Sequence, residues 1–181
     1  VQIQGTAKVN TLIVPRHSSE RRTYLPVGLL DASAIIADSA FAIYDAPLWT
    51  LSLIASRLHL VWIAAVCGKL KTDYRYSNTL GWNTFPLPRL TAKNESDLNV
   101  SATNILLARE SYFPASISEM YDPDAMGGAF PSLQQAHDRN DEIVERIYIG
   151  RKFRNDTERL EKLFAMYADD QKGGQRREPM A

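Results

Sequence analysis

From Leu48 to Val66 runs the most apolar stretch of the chain, with Arg57 and His59 near its middle. An arginine at the midpoint of a bilayer is costly, so the stretch reads as a buried helix and not as a membrane span. Within it Leu51, Ile54, Leu58, Val61 and Ala65 recur at helical spacing, and Leu53, Trp62 and Val66 widen the stripe. Asp45 is a candidate N-cap, Pro47 suits the first turn and Gly68 suits the C-terminal cap. These signals predict one continuous helix, the spine of the first half of the chain, with Leu58 and Trp62 in the core.

Three short strand-like runs precede it: Thr11–Val14, Thr23–Val27 and Ala40–Tyr44. Pro26 marks the second as an edge strand or a bulge. Asp38 and Ser39 interrupt two apolar runs and predict a turn. After the helix, Lys69–Pro88 is expected to be extended or a hairpin, ended by Phe85-Pro-Leu-Pro88. Residues 91–101 are polar and predict a linker. Helical periodicity follows over Thr103–Tyr112, Pro131–Ile149 and Asp156–Gln171, and the tail from Lys172 to Glu178 is expected to be disordered. The fold class is α+β: a small mixed or antiparallel sheet packed on the long helix, then a C-terminal helical bundle. The expected domain boundary divides residues 1–90 from 91–181.

Little in the residues speaks for catalysis. There is no Gly-rich phosphate loop, metal-ligand cluster or nucleophile motif, and His17, His59 and His137 lie in unrelated contexts. Asp138 and Asp141, one helical turn apart, read as a solvated face or as partners of Arg139 and Arg146. The lone Cys67 excludes an internal disulfide, and no signal peptide is seen, which fits a cytoplasmic protein with no membrane span. The start at Val1, inside what reads as a strand, points to a piece of a longer chain. Formal net charge is zero, yet residues 1–90 hold nine Lys/Arg against five Asp/Glu (+4), and residues 91–181 hold twelve against sixteen (−4). The first half suits a polyanion. The acidic helical half leaves open a different class of function, a protein-interaction domain that docks partner subunits.

Two patches carry chemistry suited to double-stranded DNA. In Gly68–Asn78, Lys69, Lys71, Asp73 and Arg75 alternate, so a strand there projects all four from one face, with Leu70, Thr72, Tyr74 and Tyr76 on the other. Lysine donates to guanine O6 and N7 and aspartate accepts from cytosine N4, which makes Lys71 and Asp73 candidate base readers of one G·C pair. Lys69, Arg75, Ser77 and Asn78 are candidates for phosphate contacts. The same pattern also describes a solvated edge strand whose charges discourage aggregation. The cluster Arg16, Ser18, Ser19, Arg21 and Arg22 offers a second backbone-binding surface or an ordinary solvated turn.

The run from Ser56 to Pro88, with Pro15–Pro26, Phe41–Pro47, Leu106–Arg109, Met120–Pro123, Ala136–Asp138 and Glu158–Phe164, closely resembles the MmeI-like family. These are type IIL restriction–modification enzymes and their methyltransferase-only relatives. The resemblance covers nearly the whole chain in order. It implies the end of a target-recognition domain plus the helical C-terminal domain of a DNA adenine-N6 methyltransferase, with or without a nuclease. It also implies that S-adenosylmethionine and the methylating motif belong to a methyltransferase domain elsewhere in the same polypeptide, and that no cofactor binds here. Finally, it implies that the hairpin region meets the outer base of the site and that Asp38 and Ser39 lie near DNA.

Overall fold

The computed structural model describes residues 7–172. A three-stranded antiparallel sheet is built from β1 (Asn10–Pro15), β3 (Gly28–Asp31) and β4 (Ala40–Tyr44), with β1 central. A second, smaller sheet joins β2 (His17–Ser18) to the hairpin β5 (Lys69–Leu70) and β6 (Asp73–Arg75). Between β4 and β5 lie helices α1 (Trp49–Ile54) and α2 (Arg57–Val66). A π-helical turn at Asn78–Trp82 follows, and then α3 (Ala92–Glu110), α4 (Ile117–Met120), α5 (Met126–Ala129), α6 (Pro131–Ile149) and α7 (Asp156–Lys172). The α+β class holds, with both sheets antiparallel. Among these residues no helix is long and apolar enough to cross a membrane. The expected tail beyond Lys172 lies outside the described residues.

The apolar stretch folds as two helices, not one. Ser56 interrupts it: its backbone is extended, and its hydroxyl accepts from the His59 amide at 3.2 Å, so it is the N-cap of α2. Asp45 does not cap α1. It sits in the left-handed region at φ 53° and gives its carboxylate to the amides of Lys8, Val9 and Asn10. Three amide donors hold that carboxyl below its ordinary pKa. Cys67, not Gly68, ends α2. Leu58 and Trp62 are fully buried, as the spacing requires.

Two further expectations change. Thr23–Val27 is no strand: Pro26 lacks an amide and Val27 N–H closes on Leu25 O at 2.9 Å, leaving no ladder to pair. Tyr24 and Leu25 nevertheless cross the core. Residues 91–101 are not a linker. Thr91 caps α3 by accepting from the Asn94 amide, and Leu98, Ser101, Ala102, Ile105 and Arg109 form its buried stripe against α1 and α6. One contiguous core therefore runs from Leu12 in β1 to Leu163 in α7.

Buried polar groups tie the layers together. Asn140 of α6 accepts from the hydroxyls of Ser52 (α1) and Ser101 (α3) and donates to Ser52 O at 2.8 Å. Arg57 of α2 pairs with Asp156, which also meets Arg159, and Arg159 pairs with the buried Glu145. This chain of charges pins α2, α6 and α7 behind the small sheet.

Candidate nucleic-acid interface

The hairpin reverses at Lys71-Thr72, so Leu70 faces Asp73 and Lys69 faces Tyr74 across the ribbon. Lys71 takes φ 57° as the first turn residue, a conformation that the primed two-residue hairpin turns require and a β-carbon resists. Four residues on one strand face is therefore not what forms. Lys71 stands at the apex of the turn. Lys69 lies on the opposite face from Asp73 and Arg75, its ammonium 5.8 Å from the Tyr74 ring and 3.4 Å from Glu20.

Strand β2 pairs with β6, placing His17 beside Arg75 and Ser18 beside Tyr74. Residues opposite one another point the same way. The inner face carries Ser18 and Tyr74, and Tyr74 lines a groove of about 230 Å³ with Arg57, Leu60 and Val61 of α2. The outer, exposed face carries Leu70, Asp73, Arg75 and His17. Asp73 is exposed and accepts from the Glu20 amide through one carboxylate oxygen at 3.2 Å. Lys71 and Arg75 are exposed and form no ion pair among the described residues.

The Arg16–Arg22 cluster is drawn against this hairpin but divides in role. Arg16 is half-buried over the Phe41 ring and binds Asp38 at 2.8 Å, while its amide donates to Ser39 O. Asp38 and Ser39 do form a turn, closed by Ala40 N–H to Ala37 O, and Asp38 remains 93% exposed. Ser18 is buried, so its hydroxyl is not presented to a phosphate. Ser19 accepts from the Arg21 amide. Arg21 and Arg22 turn toward the helical region, with Arg21 chelating Asp124 and Arg22 donating to Tyr121 O. Ser77 caps the π-helical turn and Asn78 accepts from the Thr79 amide, so both are engaged locally.

Behind the hairpin lie buried titratable groups. His59 meets the Tyr76 hydroxyl at 3.1 Å, and burial pushes its pKa down to about 3. Tyr24 stacks on His137 and donates toward both Asp138 and Asp141, at 3.1 and 3.0 Å. Asp138 and Asp141 are thus not partners of Arg139 and Arg146, which pair with Glu142 and Asp97. Burial raises Asp141 to about 7 despite the Arg57 amide it accepts from, and holds the Tyr24 hydroxyl protonated. Among the described residues no His/Cys/Asp/Glu group is arranged to hold a metal.

Two family models match in succession: "MmeI, target recognition domain" over residues 1–89 and "MmeI, C-terminal domain" over residues 90–173. DNA methyltransferase A of Bacillus subtilis (strain 168) is 40% identical over 159 residues, 88% of this chain. A solved structure of the type IIL restriction–modification enzyme MmeI in complex with DNA is 30% identical over 93% of this chain, with a TM-score of 0.86. The chain belongs to the MmeI family.

It spans 18% of the length of the Bacillus relative and 22% of the MmeI chain. The junction between the MmeI models, at residues 89 and 90, falls just before the Thr91 cap of α3. Within the MmeI target recognition part, two residues of the outer face, His17 and Leu70, carry no local sequence signal of their position. His17 looked isolated because its neighbour Arg75 is remote in sequence. Leu70 was placed on the wrong face because strand alternation fails at a turn.

Proposed function

We propose that the outer face of the β5–β6 ribbon, with the Asp38–Ser39 turn beside it, reads bases in the major groove of double-stranded DNA. In this reading the chain supplies target recognition to a cytoplasmic adenine-N6 methyltransferase, with or without a fused nuclease. The observation that carries it is the ribbon itself: an exposed two-stranded hairpin with Lys71 at its apex and Asp73 and Arg75 on one free face. A two-stranded ribbon fits the major groove. Lys71, donor-only, suits guanine O6 and N7, and Asp73, acceptor-only, suits the paired cytosine N4, so together they select one orientation of one G·C pair. Asp38 and Ser39 are positioned for a second base contact. Arg75, Lys69 and Arg16 supply phosphate contacts.

Methyl transfer needs S-adenosylmethionine, which the methyltransferase portion of the same polypeptide would hold. In this reading the transfer itself belongs to that portion and not to this chain. What its residues do is bind and orient the duplex.

The experiment is the exchange Lys71→Asp with Asp73→Arg in the intact enzyme, followed by mapping of methylated sites. Aspartate accepts the left-handed turn position more readily than lysine, so the ribbon is retained. The expected result is inversion of one G·C to C·G, each contact being worth about 1–3 kcal/mol of discrimination. An unchanged methylated sequence at every position refutes the assignment. Arg75→Ala is expected to weaken all sequences alike.

A further inference from the structure

On the outer face of the ribbon Leu70 is 55% exposed, directly across from Asp73 and one residue before the turn. A single exposed leucine is ordinary. This one, however, is enclosed by groups suited to DNA: Lys71 follows it, Asp73 faces it, and Arg75 and His17 continue the same face. We propose that Leu70 reads the C5 substituent of a pyrimidine, favouring a methyl group there. The inference rests on the reading that this face enters the major groove.

The reasoning is geometric. Cross-strand neighbours hold their β-carbons about 4.5–5.5 Å apart. On a pyrimidine the exocyclic position at C4 and the C5 position are adjacent on the same major-groove edge. A carboxylate at the N4 amine of cytosine therefore puts the cross-strand side chain over C5 of that base or of its stacked neighbour. Lysine, arginine and aspartate gain nothing from a methyl group, whereas leucine buries it. Thymine presents that methyl in the groove, and 5-methylcytosine would present it likewise. Leu70 is more than half exposed, so its truncation empties no core site and is expected to change the contact and not the fold.

The test uses the intact enzyme and duplexes carrying its own methylation site. Each thymine in turn is replaced by deoxyuracil, and each cytosine by 5-methylcytosine. Binding is followed by fluorescence anisotropy over a salt series. At one pyrimidine the wild-type enzyme is expected to bind the C5-methylated form about fourfold more tightly, the worth of one buried methyl group. Leu70→Ala brings that ratio to about one while leaving the other positions and the urea midpoint unchanged, and Leu70→Met keeps part of it. Equal binding of the paired duplexes at every pyrimidine, weaker binding of the methylated form, or a ratio that survives in Leu70→Ala overturns the role of Leu70 while DNA recognition stands. Absence of salt-dependent binding to any duplex overturns both.

Discussion

Lowering the pH from 7.5 to 5 sets two buried groups against each other, and Asp141→Asn separates them. His59 stays neutral in the folded chain down to about pH 3, whereas an unfolded histidine titrates near 6.5. Between those values the unfolded state binds the extra proton, so this contribution is complete above 6.5 and is lost as pH falls. At pH 5 the loss is about 2 kcal/mol by proton linkage. His137, lowered by the same burial, acts in the same direction. Asp141 acts in the opposite direction. Its folded pKa of about 7 lies above the ordinary 3.8, so the folded state holds the extra proton between them. Its contribution grows as pH falls through 7, reaching about 2–3 kcal/mol at pH 5. With both histidines opposing Asp141, the wild-type chain is expected to lose stability as the pH falls over this range. In Asp141→Asn the amide oxygen keeps the Arg57 N–H, the NH2 group faces the Tyr24 oxygen in place of the second carboxylate oxygen, and the side chain takes up no proton. The variant is expected to lose about 2 kcal/mol more than wild type between pH 7.5 and 5. Urea unfolding at several pH values, followed by the fluorescence of Trp49, Trp62 and Trp82, measures the difference. Parallel pH profiles for the two proteins would refute the burial argument for Asp141.

Leu58→Ala empties a fully buried site between the sheets and helices and is expected to cost about 2–5 kcal/mol in urea unfolding; a loss below about 1 kcal/mol would contradict the packing. Asn140→Ala leaves Ser52 O and the hydroxyls of Ser52 and Ser101 without their shared partner. The hydroxyls can turn back to carbonyls of their own helices, so the expected cost is about 3 kcal/mol, and adding Ser52→Ala with Ser101→Ala is expected to recover part of it.

Elements whose signals are local were legible. Helical spacing with Pro131 at the first position marks α6, and the short apolar run Ala40–Tyr44 reads as a strand and forms one. The apolar period also placed Leu58 and Trp62 correctly. It did not show the break at Ser56, because a serine inside an apolar run reads equally as a helix interior or as a cap. The choice belongs to its extended backbone. Residues 91–101 misled because α3 buries a narrow stripe between α1 and α6 and leaves the rest of its surface polar.

For the interface, the sequence determined which residue types gather in Gly68–Asn78 and that they suit a nucleic acid. Only the tertiary structure decided which of them share a face. Alternation assigns faces as long as a strand continues, and a two-residue reversal at Lys71-Thr72 breaks the count, putting Lys69 on the Tyr74 face and Leu70 on the Asp73 face. Pairing of β2 with β6 then set His17 beside Arg75. The side chains of Arg21 and Arg22 met acceptors on the α4–α5 connection that no local pattern names. A turn's position and a strand's partner depend on contacts between distant segments, so no window of sequence contains them.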